Sequence, residues 1–150
     1  MPIRLRTPLP DFAGAGVWLN GEAPREALAG KPVLVHFWSL GCSCCGDVLP
    51  RVNAWRETYG EPCGLQVVGV HVPRSEAEKD IAAVRAAAER CALRHPVLAD
   101  NDAAAAAAFG NEVLPSFYLF DEAGALRHYQ AGDRGLDLLE RRIRKLAGIG

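Results

Sequence analysis

The sequence predicts an α/β layered domain built on a mixed β-sheet. Two apolar runs carry the first part of that reading. Val33-Leu34-Val35-His36-Phe37-Trp38 and Leu65-Gln66-Val67-Val68-Gly69-Val70-His71-Val72 are almost continuously apolar, so each is expected as a strand covered on both faces, as in parallel sheets. A stretch with helical spacing follows each run: Val48, Leu49, Val52 and Trp55 after the first, and Ile81, Val84, Ala88 and Cys91 after the second. The third observation is a hairpin near the end, with strands at 116–120 and 125–131 joined by Asp121-Glu122-Ala123-Gly124. Parallel strands with helical crossovers therefore come first and an antiparallel pair comes last.

The remaining elements fit between these. Residues 1–30 read as a polar, turn-rich N-terminal extension punctuated by Pro8, Pro10, Gly14 and Gly16, with a short strand at Val17-Trp18-Leu19 and a turn at Asn20-Gly21. Pro24 to Ala29 can form one helical turn closed by Gly30. The first long helix is expected from about Cys42 to Tyr59, kinked at Pro50, which has no N–H to donate. Ser75 and Glu78 fit a capping box, which predicts an extra helix at about 76–92. His95 to Ala99 reads as a short strand. Asp100-Asn101-Asp102 offers an N-cap for a helix over Ala103 to Ala108, a run of the best helix former, ended by Gly110. Leu136, Leu139, Ile143 and Leu146 mark a closing amphipathic helix. Its cations Arg141, Arg142, Arg144 and Lys145 crowd the end that the helix dipole favours, and they read as a solvated face.

Composition excludes several classes. The 150 residues suffice for one domain, 1–150, and 49% hydrophobic content argues against disorder. A net charge of -1 with mixed signs leaves no basic stripe for nucleic acid. No stretch approaches a membrane span, and the start has no apolar secretory core. Five cysteines without framework spacing argue against a disulfide-stapled secreted domain. The expectation is a cytoplasmic monomer with no membrane or nucleic-acid partner.

The chemistry concentrates in Phe37-Trp38-Ser39-Leu40-Gly41-Cys42-Ser43-Cys44-Cys45, where the first strand hands over to the helix. A thiolate at a helix N-terminus is stabilised by unpaired N–H groups and the dipole, so Cys42 is the expected nucleophile. Cys45, three residues on, shares its helix face and can pair with it. Cys44 lies roughly 200° round the helix from Cys42 and reads as a tolerated small residue. Cys63 reads as an incidental loop thiol and Cys91 as core filler. His36, six residues before Cys42, is by default a satisfied core histidine, with a proton relay as its functional reading. His71, His95 and His128 read as structural or exposed. Trp38 reads as packing beside the cysteines. A C-x-x-C pair is either redox-active or half of a metal site, and the strand-to-helix setting favours redox.

Together these residues resemble the thioredoxin superfamily. Phe37-Trp38-Ser39, Cys42-x-x-Cys45 and Pro50 match its strand, redox motif and helix proline, and Pro115 looks like its cis-proline. Within the superfamily the chain resembles the small bacterial thiol–disulfide oxidoreductases of the TlpA/ResA branch. It is most similar to the stand-alone cytoplasmic members, through Trp18 to Glu22, His36 to Ser39 and Val70 to Glu76. The resemblance spans nearly the whole chain. It implies a thioredoxin-like fold, a catalytic Cys42–Cys45 pair supported by Pro115, Trp38, His36 and Pro50, and no cofactor. It implies protein disulfides as substrates and an upstream thiol reductant as partner. The 76–92 helix looks like the insertion that separates this branch from plain thioredoxin.

Departures from the family pattern bear on the site. Gly41 replaces the aromatic residue that usually precedes the first cysteine, which is expected to open the site. Val48 stands where the branch carries a glutamate. Asp47 opposes the Cys42 thiolate, and Arg51 is the nearby cation that could offset it. What remains is the helix dipole, so the expected Cys42 pKa is roughly 7 and the expected potential is nearer about -270 mV than about -120 mV, that of a reductant. Two other readings stay open: a copper- or zinc-binding protein using Cys42, Cys44 and Cys45, and a peroxiredoxin-like peroxidase. The peroxidase reading is weakened by Val35, where that family places a proline.

Overall fold

The computed structural model describes residues 1–12, 14–42 and 45–149. The expectation for Cys44 therefore lies outside the described residues. The elements run β1 (Val17–Leu19), α1 (Arg25–Leu28), β2 (Val33–Trp38), α2 (Cys45–Tyr59), β3 (Gln66–His71), a 3-10 turn (Glu76–Lys79), α3 (Ile81–Arg90), β4 (Val97–Ala99), α4 (Ala104–Phe109), β5 (Ser116–Phe120), β6 (Leu126–Ala131) and α5 (Leu136–Leu146).

The strands form one sheet in the order β1-β4-β3-β2-β5-β6. β2 pairs parallel to β3 and β3 parallel to β4, while β1–β4, β2–β5 and β5–β6 are antiparallel. The sheet is mixed, as the two apolar runs and the hairpin predict. All residues of β2 and β5 are buried, because helices cover both faces. Alternation then sorts the side chains. Val33, Val35 and Phe37 join Val68, Val70, Leu98, Tyr118 and Phe120 beneath the N-terminal extension, α1 and α4. Leu34 points the other way, into a cluster with Val52 and Trp55 of α2 and Leu139 and Ile143 of α5. Trp38, on that same second face, packs with Cys45 and Leu49 of α2 and Val84 of α3.

Two helices differ from expectation, each for a physical reason. α2 begins at Cys45, not Cys42. Cys42 lies in the connection before it, where its N–H donates to the Ser39 carbonyl at 3.2 Å and its own carbonyl accepts from the Cys45 N–H at 3.2 Å. The expected helix at 76–92 is broken at Asp80, and the Ser75–Glu78 capping box does not form. Asp80 caps α3 instead, accepting from the Ala82 N–H at 3.1 Å, and Glu78 is thereby free to turn toward Ser39. The N-terminal extension is a packed part of the fold. Phe12, Ala15 and Ala23 enter the core, and Arg6 and Thr7 exchange backbone hydrogen bonds with Leu126, covering the β6 edge. α2 continues through Pro50, which sits on its exposed side.

α4 is capped from a distance. Asp100 is fully buried, and its two carboxylate oxygens accept from the Ala105 and Ala106 N–H groups at 2.9 Å each. Removing it orphans two helix donors in the core. Asp100→Ala is expected to lower stability by about 2 kcal/mol or more and Asp80→Ala, at the surface, by about 1 kcal/mol. Urea denaturation of the two variants side by side checks this ranking.

Candidate active site

Three strand ends meet at one edge of the molecule. In the parallel β2–β3 pair Trp38 lies opposite His71, so both chains leave the sheet side by side. In the antiparallel β2–β5 pair Phe37 lies opposite Ser116, which sets Pro115 beside the exit of β2. The Ser39–Cys42 turn, His71 and the Leu114–Pro115 step are thus gathered together.

Cys42 and Cys45 form a disulfide with Cα atoms 5.4 Å apart. The two sulfurs are not equivalent: Cys45 is 2% exposed, whereas Cys42 is half-buried. The Leu114–Pro115 peptide is cis. Pro115 is buried, its carbonyl accepts from the Gly132 N–H at 2.7 Å, and Leu114, like Cys42, packs against the cluster that holds Cys45. Trp38 is buried in that cluster and meets the His71 ring edge-to-face at 4.9 Å. Cys63 packs against the α2–α5 cluster and Cys91 against the Cys45 cluster, both as half-buried free thiols. Among the described residues no group of three His, Cys, Asp or Glu side chains is placed to hold a metal.

His36 is a buried member of a polar chain. Its Nε2 lies 2.8 Å from His95 Nε2, and His95 Nδ1 lies 3.0 Å from Arg56 NH1. Arginine only donates, so His95 Nδ1 accepts. Neutral His95 then carries its proton on Nε2 and donates it to His36 Nε2, which leaves the His36 proton on Nδ1. Gly69, opposite His36 in β3, makes room for this: a Cβ there would lie 2.8 Å from His36 Nε2 and 3.4 Å from His95 Nε2. Burial, and then the Arg56 charge, push the His36 pKa well below that of a free imidazole. For His95, burial again leads, followed by His36 and Arg56. His36 is therefore neutral and adds no positive charge to the site.

His71 is fully buried, not exposed, and its pKa is lowered to about 4, chiefly by burial, against the opposing pull of Glu78. Its Nε2 accepts from the Leu40 N–H at 3.2 Å, which holds the turn before Cys42. Arg51 does not offset Asp47. It reaches to α5 and pairs with Asp137 and Glu140, at 3.1 Å each. Gly41 is exposed, and a Cβ on it would meet the Glu78 carboxylate, 2.5 Å from Oε2.

A model described as the AhpC/TSA family matches residues 5–129. The chain belongs to the AhpC/TSA family. It is 43% identical over 145 residues, 96% of this chain and 97% of the other, to the thiol-disulfide oxidoreductase YkuV of Bacillus subtilis (strain 168). It is 26% identical over 140 residues, 91% of this chain and 75% of the other, to the thiol-disulfide oxidoreductase ResA of Geobacillus kaustophilus (strain HTA426). A solution structure of a thioredoxin-like protein in the oxidised form superposes with a TM-score of 0.87 at 42% identity, covering 97% of this chain and 98% of that one. The fold of this AhpC/TSA-family chain is thioredoxin-like.

Sequence reasoning missed three members of the site: His71, His95 and Glu78. The signal for His71 was its place at the C-terminal end of a parallel strand next to the cysteine-bearing one, where such sheets gather their functional groups. The signal for His95 was weaker, a glycine facing His36 in an otherwise β-branched strand. Glu78 had none, because its capping-box spacing pointed elsewhere.

Three buried, neutral histidines make stability depend on pH. Their folded pKa values are lowered by burial, so below about 6.5 the unfolded chain binds more protons and stability falls with falling pH. Each histidine adds a slope of up to about 1.4 kcal/mol per pH unit in that range. Urea midpoints are expected to be flat above about pH 7, to fall from about pH 6.5 downward, and to fall less steeply in His95→Gln.

Proposed function

We propose that this chain is a thiol–disulfide oxidoreductase that reduces disulfides in partner proteins through Cys42 and Cys45. The difference in burial between the two sulfurs carries the assignment. Half-buried Cys42 can be reached by a partner, whereas Cys45, 2% exposed, is shielded from one. The Cys42 thiolate attacks one sulfur of the partner disulfide, forming a mixed disulfide and releasing a partner thiolate. The Cys45 thiolate then attacks the Cys42 sulfur and releases the second. Two electrons pass to the partner, Cys42–Cys45 ends oxidised, and an upstream thiol reductant restores the dithiol. The Leu114–Pro115 step lies beside the pair, with Leu114 packed against the Cys45 cluster. No cofactor takes part in these steps.

Several observations support the reducing direction. A strong oxidant needs an unusually stable first thiolate. Here Cys42 lies before the helix rather than in its first turn, His36 is neutral, Arg51 is engaged by α5, and Asp47 adds a negative charge to the first turn. Such a protein suits a reducing, cytoplasmic compartment, and we read it as acting as a monomer. No helix among the described residues is long and apolar enough to cross a membrane.

Two measurements test the proposal. Cys45→Ala is expected to trap a mixed disulfide that mass spectrometry maps to Cys42, and Cys42→Ala is expected to trap none. An adduct on Cys44 would overturn the assignment. Equilibration with glutathione is expected to place the potential nearer about -270 mV than about -120 mV. A pair that stays mostly reduced in mildly oxidising glutathione would sink the reducing direction.

A further inference from the structure

The turn that delivers Cys42 is braced from another element. Glu78, on the 3-10 turn between β3 and α3, accepts from the Ser39 hydroxyl and, at 3.3 Å, from the Arg74 N–H. The Ser39 oxygen in turn accepts from the Gly41 N–H at 3.3 Å. A Cβ on Gly41 would lie 2.5 Å from Glu78 Oε2, so the carboxylate packs against the backbone of the residue immediately before Cys42. The Glu78 side chain is only 12% exposed. Burial raises its pKa, but the hydrogen bonds from Ser39, Arg74 and Gly41 outweigh burial and hold it below the usual carboxylate value. The group is ionised at neutral pH.

We propose that Glu78 tunes disulfide exchange through its charge: the carboxylate, seated on the Ser39–Gly41 turn, places a negative charge next to Cys42 that disfavours the Cys42 thiolate. The proposal rests on exchange at Cys42 and not on the direction of electron flow. Arg74, on the same loop, carries an exposed guanidinium screened by solvent, and the other neighbouring groups are neutral, paired or of like sign. From β3, His71 faces the carboxylate at 4.0 Å, but its Nε2 lone pair is taken by the Leu40 N–H and it is neutral. On the 3-10 turn, Lys79 pairs with Glu76. At the start of α3, Asp80 is a further carboxylate and caps that helix. From α2, Asp47 has the same sign as Glu78, and Arg51 is held by α5. From the loop before Pro115, Glu112 pairs with the Met1 amino group.

Reduction of the Cys42–Cys45 disulfide takes up two electrons and two protons. Stabilising the thiolate adds weight to the reduced side and makes the pair more oxidising. Glu78→Gln keeps the side-chain shape and a hydrogen-bond acceptor but removes the charge. In reduced protein, the pH profile of Cys42 alkylation by iodoacetamide, followed by mass spectrometry of the Cys42 peptide, is expected to shift down by about half a unit to one unit. The equilibrium with glutathione is expected to move about fivefold toward the reduced protein, which corresponds to about 20 mV. Ser39→Ala removes the hydroxyl brace but leaves the charge, so it is expected to stay within about twofold of the parent. A Glu78→Gln profile and equilibrium unchanged from the parent would overturn the proposal. So would a Ser39→Ala shift as large as that of Glu78→Gln, since loosening of the turn would then explain both. The parent protein is measured alongside. Its own failure to exchange with glutathione through Cys42 would instead reject the oxidoreductase reading on which the proposal rests.

Discussion

The redox end of this molecule depends on β2 being paired on both sides. β3 runs parallel to it and β5 antiparallel, so the C-terminal ends of β2 and β3 and the N-terminal end of β5 coincide. Backbone hydrogen bonds set that register, and the register brings the cysteines, His71 and Pro115 together from distant parts of the chain. A slip of one residue would also turn every side chain of β2 to the opposite face, placing His36 and Trp38 under α4 and Phe37 under α2. The apolar packing of both faces makes such a slip costly, so the core and the site are specified by one arrangement.

Polar groups inside this frame are tolerated because each has a use for its lone pair or proton. His36, His95 and Arg56 satisfy one another in a fixed donor order. His71 spends its acceptor on the Leu40 N–H, and Asp100 spends both oxygens on α4. Trp38 Nε1 and His71 Nδ1 are the exceptions beside the site. Both are buried without a hydrogen-bond partner among the described residues, at a cost of about 1–3 kcal/mol each. Two unpaired donors side by side, next to a reactive pair, fit the tendency of functional sites to depart from the packing rules obeyed elsewhere.

Gly41 and Glu78 show how a local reading misses a neighbour that is distant along the chain. On the chain, a glycine before the first cysteine looks like a missing shield. In the fold it is the contact surface for a carboxylate from the 3-10 turn. The same carboxylate was assigned to a capping box with Ser75, a local partner that spacing alone favours. Its actual partner, Ser39, is 39 residues away. The break at Asp80 resolves the competition: once that residue caps α3, Glu78 no longer serves a helix start.

Most of the scaffold was legible without coordinates, because periodicity and turn chemistry act over a few residues. The buried runs of β2 and β3, the 121–124 turn, the α5 stripe and the handover from strand to cysteines are all local patterns. So is the Cys42–Cys45 spacing, although the expected reason, a shared helix face, was replaced by a connection that precedes α2. Tertiary structure alone decided which sulfur is shielded, that Arg51 belongs to α5 rather than to Asp47, that His36 points at His95 across Gly69, and that Glu78 packs against Ser39 and Gly41. Each of these depends on which strand neighbours which and at what register. A side chain's electrostatic neighbours are set by distance in space, and the order of residues along the chain does not carry that distance until the sheet is assembled.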